Sequence, residues 1–298
     1  MTVPIVLFVF ARPEHTRRTV EALAANPLAE QSDLIIYADA ARKPEEEAKV
    51  DEVRTLVRNI SGFRSVSIIE RVTNYGLSRN IIDGVTTVCN EYGRVIVLED
   101  DIVTSPYFLT FTNTALDKYA DEKKVWHISG WNYPIDPEGL DDAFFWRVMN
   151  CWGWATWADR WQHFDKAPEK LIKTWDTSKI ARFNLDGTYD FWAQVKLNHL
   201  RKLNTWAIFW YATIFENNGL CLNPVRSLVQ NIGHDGTGVN CGNSDPYVHT
   251  QLSPRIERFP SDIFESALAV NKVKRDHKHP KSIWLKSFFS FLARRVKS

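Results

Sequence analysis

The sequence predicts an α/β fold: a Rossmann-like, mostly parallel sheet flanked by helices. Three observations predict it. Short apolar runs rich in β-branched residues alternate with amphipathic stretches through the first hundred positions, as expected for strands covered on both faces by crossover helices. Polar side chains cluster just after several of these runs, where open α/β sheets collect their ligands. With 298 residues, 44% hydrophobic and 24% charged, the chain can build a large core without disulfides or a structural metal.

The elements follow in order. Residues 3–10 (VPIVLFVF) read as a buried strand, and Pro13 suits the first turn of the helix over 14–25. Residues 34–37 (LIIY) are a second strand. Val50, Val53, Leu56, Val57 and Ile60 recur at helical spacing in 45–60. A third strand over 66–70, a helix over 77–92 and a fourth strand over 94–98 (RVIVL) complete β-α-β-α-β-α-β, which implies right-handed crossovers. Beyond this the pattern predicts a helix over 106–119, a strand over 124–128, a helix over 189–203, a strand over 206–211 and a Gly-rich loop over 231–243. The 12 Trp, 17 Phe and 9 Tyr fit a bulky core, with some rings available to stack on sugar faces.

Charge is unevenly spread. From Asn271 to Ser298 there are nine Lys/Arg and one acid, so the net +1 of the whole leaves residues 1–270 at about −7. An acidic body argues against nucleic acid as a partner. The division is therefore 1–271, a catalytic domain, and 272–298, a basic tail. In 280–297, Trp284, Phe288, Phe291 and Leu292 fall at helical spacing among Lys and Arg. This predicts an interfacial helix lying on an anionic leaflet, too short and charged to span it. Cys89, Cys151, Cys221 and Cys241 include no C-x-x-C pair, so neither a zinc site nor a redox motif is expected. With no secretory signal pattern at residues 3–14, the expected location is the cytoplasm, peripherally at the inner face of the membrane.

Glu99-Asp100-Asp101 closes the fourth strand. Adjacent carboxylates repel and are costly to desolvate. A hard divalent cation such as Mn2+ or Mg2+ removes that cost and can bridge diphosphate oxygens. No G-x-G-x-x-G or P-loop is present, which disfavours NAD and ATP enzymes.

The segment LEDDIVTSPYFLTF resembles the acidic motif of glycosyltransferases with the A-type fold, in particular animal N-acetylglucosaminyltransferase I and related bacterial family 2-like sugar transferases. The likeness continues in order through Phe10-Ala11-Arg12-Pro13, Tyr37-Ala38-Asp39, Val125 to Asn132, Cys151-Trp152-Gly153-Trp154-Ala155 and Asn231 to Gly238. It implies that Asp101 binds the metal, that Asp100 touches the ribose or transferred sugar, and that Glu99 touches sugar hydroxyls. Arg12 and Asp39 would hold the nucleoside. Arg79, in Asn74-Tyr75-Gly76-Leu77-Ser78-Arg79, would hold the base or diphosphate. Asp190, among Tyr189, Phe191 and Trp192, would be the base of an inverting transfer, with Asp165 and Asp176 in reserve. Trp131, Trp152 and Trp154 would form an acceptor platform. His234 is weighed as a second metal ligand and read instead as a surface-loop histidine.

The resulting expectation is an inverting, metal-dependent transfer from a nucleotide-sugar, by resemblance a UDP-sugar, to a glycan or lipid-linked hydroxyl in surface polysaccharide or lipopolysaccharide synthesis. A nucleotidyltransferase-like enzyme and a catalytically degenerate carbohydrate-binding protein are the alternatives.

Overall fold

A computed structural model describes residues 2–235, 252–253 and 255–278. Strands β1 (Ile5–Val9), β2 (Asp33–Ala38), β3 (Ser65–Glu70) and β4 (Arg94–Glu99) are joined by helices α1 (Pro13–Ala24), α2 (Glu47–Arg58) and α3 (Gly76–Tyr92). These four strands are mutually parallel, in the order β3-β2-β1-β4. Stepping outward from β1 to β3 by right-handed crossovers puts α1 and α2 on one face; stepping back to β4 puts α3 on the other. The packing agrees: α1 lies against α2, and α3 against β1 and β4. Gly84 makes that second contact possible, since a Cβ there would sit 2.8 Å from the Phe8 ring.

Past β4 the sheet becomes mixed. The chain continues through β5 (Ile102–Thr104), α4 (Phe108–Lys118), β6 (Val125–Ser129), β7 (Ala143–Trp146), β8 (Trp154–Trp157) and α5 (Ala158–Trp161). Three short helices follow, α6 (Pro168–Thr174), α7 (Thr177–Phe183) and α8 (Trp192–His199), then α9 (Ala207–Glu216), β9 (Leu220–Pro224), β10 (Val229–Asn231) and α10 (Ala267–Lys278). The full order is β3-β2-β1-β4-β8-β6-β9-β7, with β8 antiparallel to both β4 and β6. The parallel pattern thus holds for the first half of the sheet and for β6 beside β9.

One expectation needs correction. Residues 206–211 are not a strand but enter helix α9, in which every residue from Ile208 to Phe215 is buried. A helix buried all round has no polar face, so its apolar run carries no 3.6-residue signature. The boundary expected at 271/272 falls inside α10, where Ala269, Val270, Lys272 and Val273 are all buried and Lys272 pairs with Asp136 at 2.7 Å. The tail helix expected over 280–297 lies outside the described residues. Among the described residues, no helix is long and apolar enough to cross a membrane.

Most of the tryptophans are core. Trp154 stacks on His127 at 5.3 Å and on Trp206 at 5.1 Å, and Trp161 lies 4.9 Å from Trp210. His127 is fully buried among them. Its Nδ1 accepts the Trp210 indole N–H (3.2 Å) and its Nε2–H donates to the Asn150 carbonyl (3.0 Å). Burial pushes this imidazole down to about 3, so it stays neutral in the fold.

An unfolded histidine titrates near 6.5, so this group's contribution is complete above that pH. It is lost as pH falls towards 3, because only the unfolded chain takes up the proton. The expected loss is about 1.4 kcal/mol per pH unit across that window. Denaturant titrations from pH 7 to 4 should show a shallower fall for His127→Phe, even though that variant starts lower by about 1–3 kcal/mol from its unpaired partners. Equal slopes would contradict the assignment.

Candidate functional site

Because β1 to β4 run in parallel, their carboxyl ends meet along one edge of the sheet. Arg12 follows β1 and starts α1, Asp39 follows β2, and Glu99-Asp100-Asp101 turns out of β4 into β5. Arg12 Nη1 donates to Asp101 Oδ2 at 2.7 Å and lies 3.6 Å from Asp100 Oδ1. The triplet turn is tied down by its backbone. The Thr19 hydroxyl donates to the Asp100 carbonyl (2.8 Å), and the Phe10 N–H donates to Asp100 Oδ2 (3.3 Å).

Asp100 and Asp101 are buried, at 8% and 6% exposure, while Glu99 is partly exposed. Their closeness is electrostatically costly. Burial, then repulsion from Asp101, pushes the Asp100 carboxyl up to about 7 against the opposing pull of Arg12. Glu99 is raised well above the usual carboxylate range by burial and by both aspartates.

A second strand pair closes over this edge. β5 and β10 pair antiparallel, Ile102 opposite Asn231 and Thr104 opposite Val229. The ribbon continues as the Ile232 N–H donates to the Asp101 carbonyl at 2.9 Å. Gly233 then passes so near that a Cβ would collide with Asp101 Oδ2 and lie 2.9 Å from Arg12 Nη2. A side chain there would have to displace the Asp101 carboxylate and the Arg12 guanidinium. Asp235 follows, 3.1 Å from His15 Nε2 and 3.9 Å from Arg12 Nη2.

His234 is not the surface-loop side chain expected. Its ring packs edge-on to Trp152 at 5.5 Å, and its Nε2 is buried without a hydrogen-bond partner. The ribbon pairing carries the loop inward, which no local sequence pattern encodes. The two buried carboxyls under this loop suit a cation. Among the described residues, no three His, Cys, Asp or Glu side chains form a complete ligand set. The residues present therefore fit a hard cation held by one or two carboxylates and completed by ligand oxygens.

Asp39 is buried and saturated. Its Oδ1 accepts the N–H groups of Ala40 (2.9 Å) and Tyr75 (2.8 Å); its Oδ2 accepts the Gly76 N–H (2.9 Å) and Asn74 Nδ2 (3.1 Å). Four bonds fill the acceptor positions of a carboxylate, so Asp39 shapes the 74–76 loop. Arg79 lies apart from the triplet. Its guanidinium covers the Tyr75 ring at 3.8 Å and lines a cavity to which Arg12, Asp100 and Asp101 do not contribute.

The remaining expected residues divide. Trp154 is 1% exposed inside the core, so it offers no face to a sugar, and Trp131 is 6% exposed. Trp152 is partly exposed, 4.7 Å from Trp131 and against His234. Asp190 is exposed before α8, and its Oδ1 accepts the Ala193 N–H at 3.1 Å. A line of ring contacts runs from its neighbour Tyr189 through Tyr133, Trp131 and Trp152 to His234. Asp176 caps α7 through the Lys179 N–H (2.7 Å), and Asp165 pairs with Lys170 (2.8 Å). His15, Thr19 and Asn74 are contributors to which the sequence reading gave no role.

Gly233→Ala forces the ribbon end away from Asp101. A loss of about 1–3 kcal/mol in unfolding free energy is expected, read by chemical denaturation. Wild-type stability would show that the approach is looser than described.

No protein family matches the sequence, and no curated protein matches it. Solved structures similar to it include S. aureus TarS 1–349, at a TM-score of 0.44 and 8% identity over 77% of this chain and 60% of that one. The mannosyltransferase PcManGT from Pyrobaculum calidifontis, in complex with GDP-Man and Mn2+, gives 0.42 and 8% over 73% and 69%. S. aureus TarS 1–349 in complex with UDP-GlcNAc gives 0.33 and 10% over 45% and 37%, so the chain spans little more than a third of that structure's length.

Proposed function

We propose that the chain is an inverting, metal-dependent glycosyltransferase. It moves a sugar from a nucleotide-sugar, a UDP-sugar in the first instance, to a hydroxyl of a glycan or lipid-linked acceptor in surface polysaccharide or lipopolysaccharide synthesis. The observation that carries the reading is the pair of buried carboxyls, Asp100 and Asp101, held beside Arg12 and under Gly233 at the carboxyl edge of a parallel sheet. Repelling acids at a ligand-binding edge are stabilised by a cation and its anionic ligand.

Asp101 would hold Mn2+ or Mg2+, with Asp100 as the adjacent donor. The cation's chemistry is to offset charge on a departing nucleoside diphosphate. Arg12 adds a planar cation that suits phosphate oxygens. Asp39 fixes the 74–76 loop that borders the nucleoside position. Glu99, partly exposed, would accept from sugar hydroxyls. Gly233 lets backbone close on the donor and exclude water. Trp152, the partly exposed ring, serves the acceptor.

The base is assigned to Asp190, which is exposed and keeps acceptor capacity beyond its helix-capping bond. Asp235 is the second reading, favoured by its place beside Arg12 and His15. The basic, apolar segment 280–297 supports attachment to an anionic leaflet at the inner face of the membrane.

Donor hydrolysis across UDP-, GDP- and dTDP-sugars, with and without Mn2+, tests the class. One donor should turn over only with Mn2+, and Asp101→Ala should abolish that turnover. No turnover and no metal-dependent nucleotide binding would favour the degenerate binding protein. Asp190→Asn should lower kcat for transfer about 10²–10⁴-fold with a stability cost near that of a lost cap, about 1 kcal/mol. Full turnover in Asp190→Asn together with loss in Asp235→Asn would move the base to Asp235. Because α10 packs on the body, the membrane test removes residues 279–298: vesicles containing anionic lipid should retain the full chain and lose the shortened one, with donor hydrolysis unchanged. Retention of the shortened chain would sink the attachment.

A further inference from the structure

A cavity of about 460 Å³ opens beside α3, on the face of the sheet opposite α1. Ser78, Arg79, Asp83 and Thr86 line one wall from successive turns of the helix; Lys166 and Asn204 line the other. We infer that this cavity binds a phosphoryl-class oxyanion, at a site separate from the acidic triplet.

The charge inside is one-sided. Lys166 is half-buried, and its ammonium donates only to neutral acceptors, Ser78 Oγ (2.9 Å) and Asn204 Oδ1 (2.5 Å). Among the described residues no carboxylate pairs with it, and burial lowers its proton affinity. Arg79 brings a second cation to the lining, its guanidinium carbon 3.8 Å from the Tyr75 ring centre. Asp83, the one acid among the lining residues, is already paired with Arg71.

The hydroxyls are arranged to donate. Ser78 Oγ accepts from Lys166, and Thr86 Oγ1 accepts the Trp161 indole N–H at 2.9 Å. Each therefore keeps its own proton for an incoming oxygen. An ammonium, a guanidinium fork and two hydroxyl donors match the several oxygens and the charge of a phosphoryl group. This inference does not depend on the proposed transfer reaction.

Calorimetric titration of the full chain with inorganic phosphate, in metal-free buffer, tests it. Saturable binding is expected, weakened at least tenfold in Lys166→Gln and in Arg79→Gln and unchanged in Asp101→Asn. Lys166→Arg should keep binding within a few-fold, which separates lost charge from lost folding, and thermal melts check each variant. No saturable binding, binding indifferent to Lys166 and Arg79, or binding lost in Asp101→Asn would overturn the inference. Repeating the titration in saturating UDP identifies the source. Displacement of phosphate, with UDP itself bound tenfold more weakly by Lys166→Gln, assigns the cavity to a nucleotide's diphosphate. Undiminished phosphate binding assigns it to a second, phosphorylated ligand.

Discussion

The repulsion among Glu99, Asp100 and Asp101 is the constraint around which the rest of the molecule is arranged. Three adjacent acids leave β4 at a point where the fold buries two of them. A turn so charged would open into solvent unless something held it. Arg12 does so from the residue that precedes α1, Thr19 from the second turn of that helix, and the Phe10 N–H from just after β1. The first crossover therefore serves the triplet as much as it serves the sheet. Even with this support the acids stay electrostatically unsatisfied, and Asp100 and Glu99 are held towards their protonated forms. A site that remains costly in the fold is one in which a ligand has something to offset.

The β5–β10 ribbon gives this edge its shape. Three paired residues bring a segment more than a hundred positions away over the acidic turn. The closeness of Gly233 to Asp101, and the orphaned Nε2 of His234, follow from that pairing. The loop is therefore part of the site and not a cover laid upon it. The mixed half of the sheet is the rigid support beneath. There the stacked Trp154, Trp206 and His127 fill the core, and the rings from Tyr189 to Trp152 lead from α8 to the same edge.

Asp39 and Arg79 show how one motif divides between two tasks. The 74–79 segment begins by filling the Asp39 carboxylate with N–H groups from Tyr75 and Gly76 and the Asn74 amide. It ends with Arg79 on the far side of Tyr75, facing a different cavity. A role assigned to the whole segment would have merged the two.

The sequence alone determined the β-α-β-α-β-α-β half, because continuous apolar runs and period-3.6 stripes are local consequences of which faces are buried. It also determined which acids lie at the sheet's edge, since strand order along the chain places every parallel strand's carboxyl end on one side. The meeting of Arg12, Asp100 and Asp101 was legible for that reason. Only the tertiary structure decided that 206–211 turns as a helix, since a fully buried helix leaves no polar stripe to read. It alone decided that Trp154 is core while Trp152 reaches the site, two residues along the same aromatic run. It also decided that Asp39 is spent on its own loop, that Gly233 comes against Asp101, and that His234 packs on Trp152. Those outcomes depend on contacts between segments far apart in the chain, and no local pattern carries the distance between them.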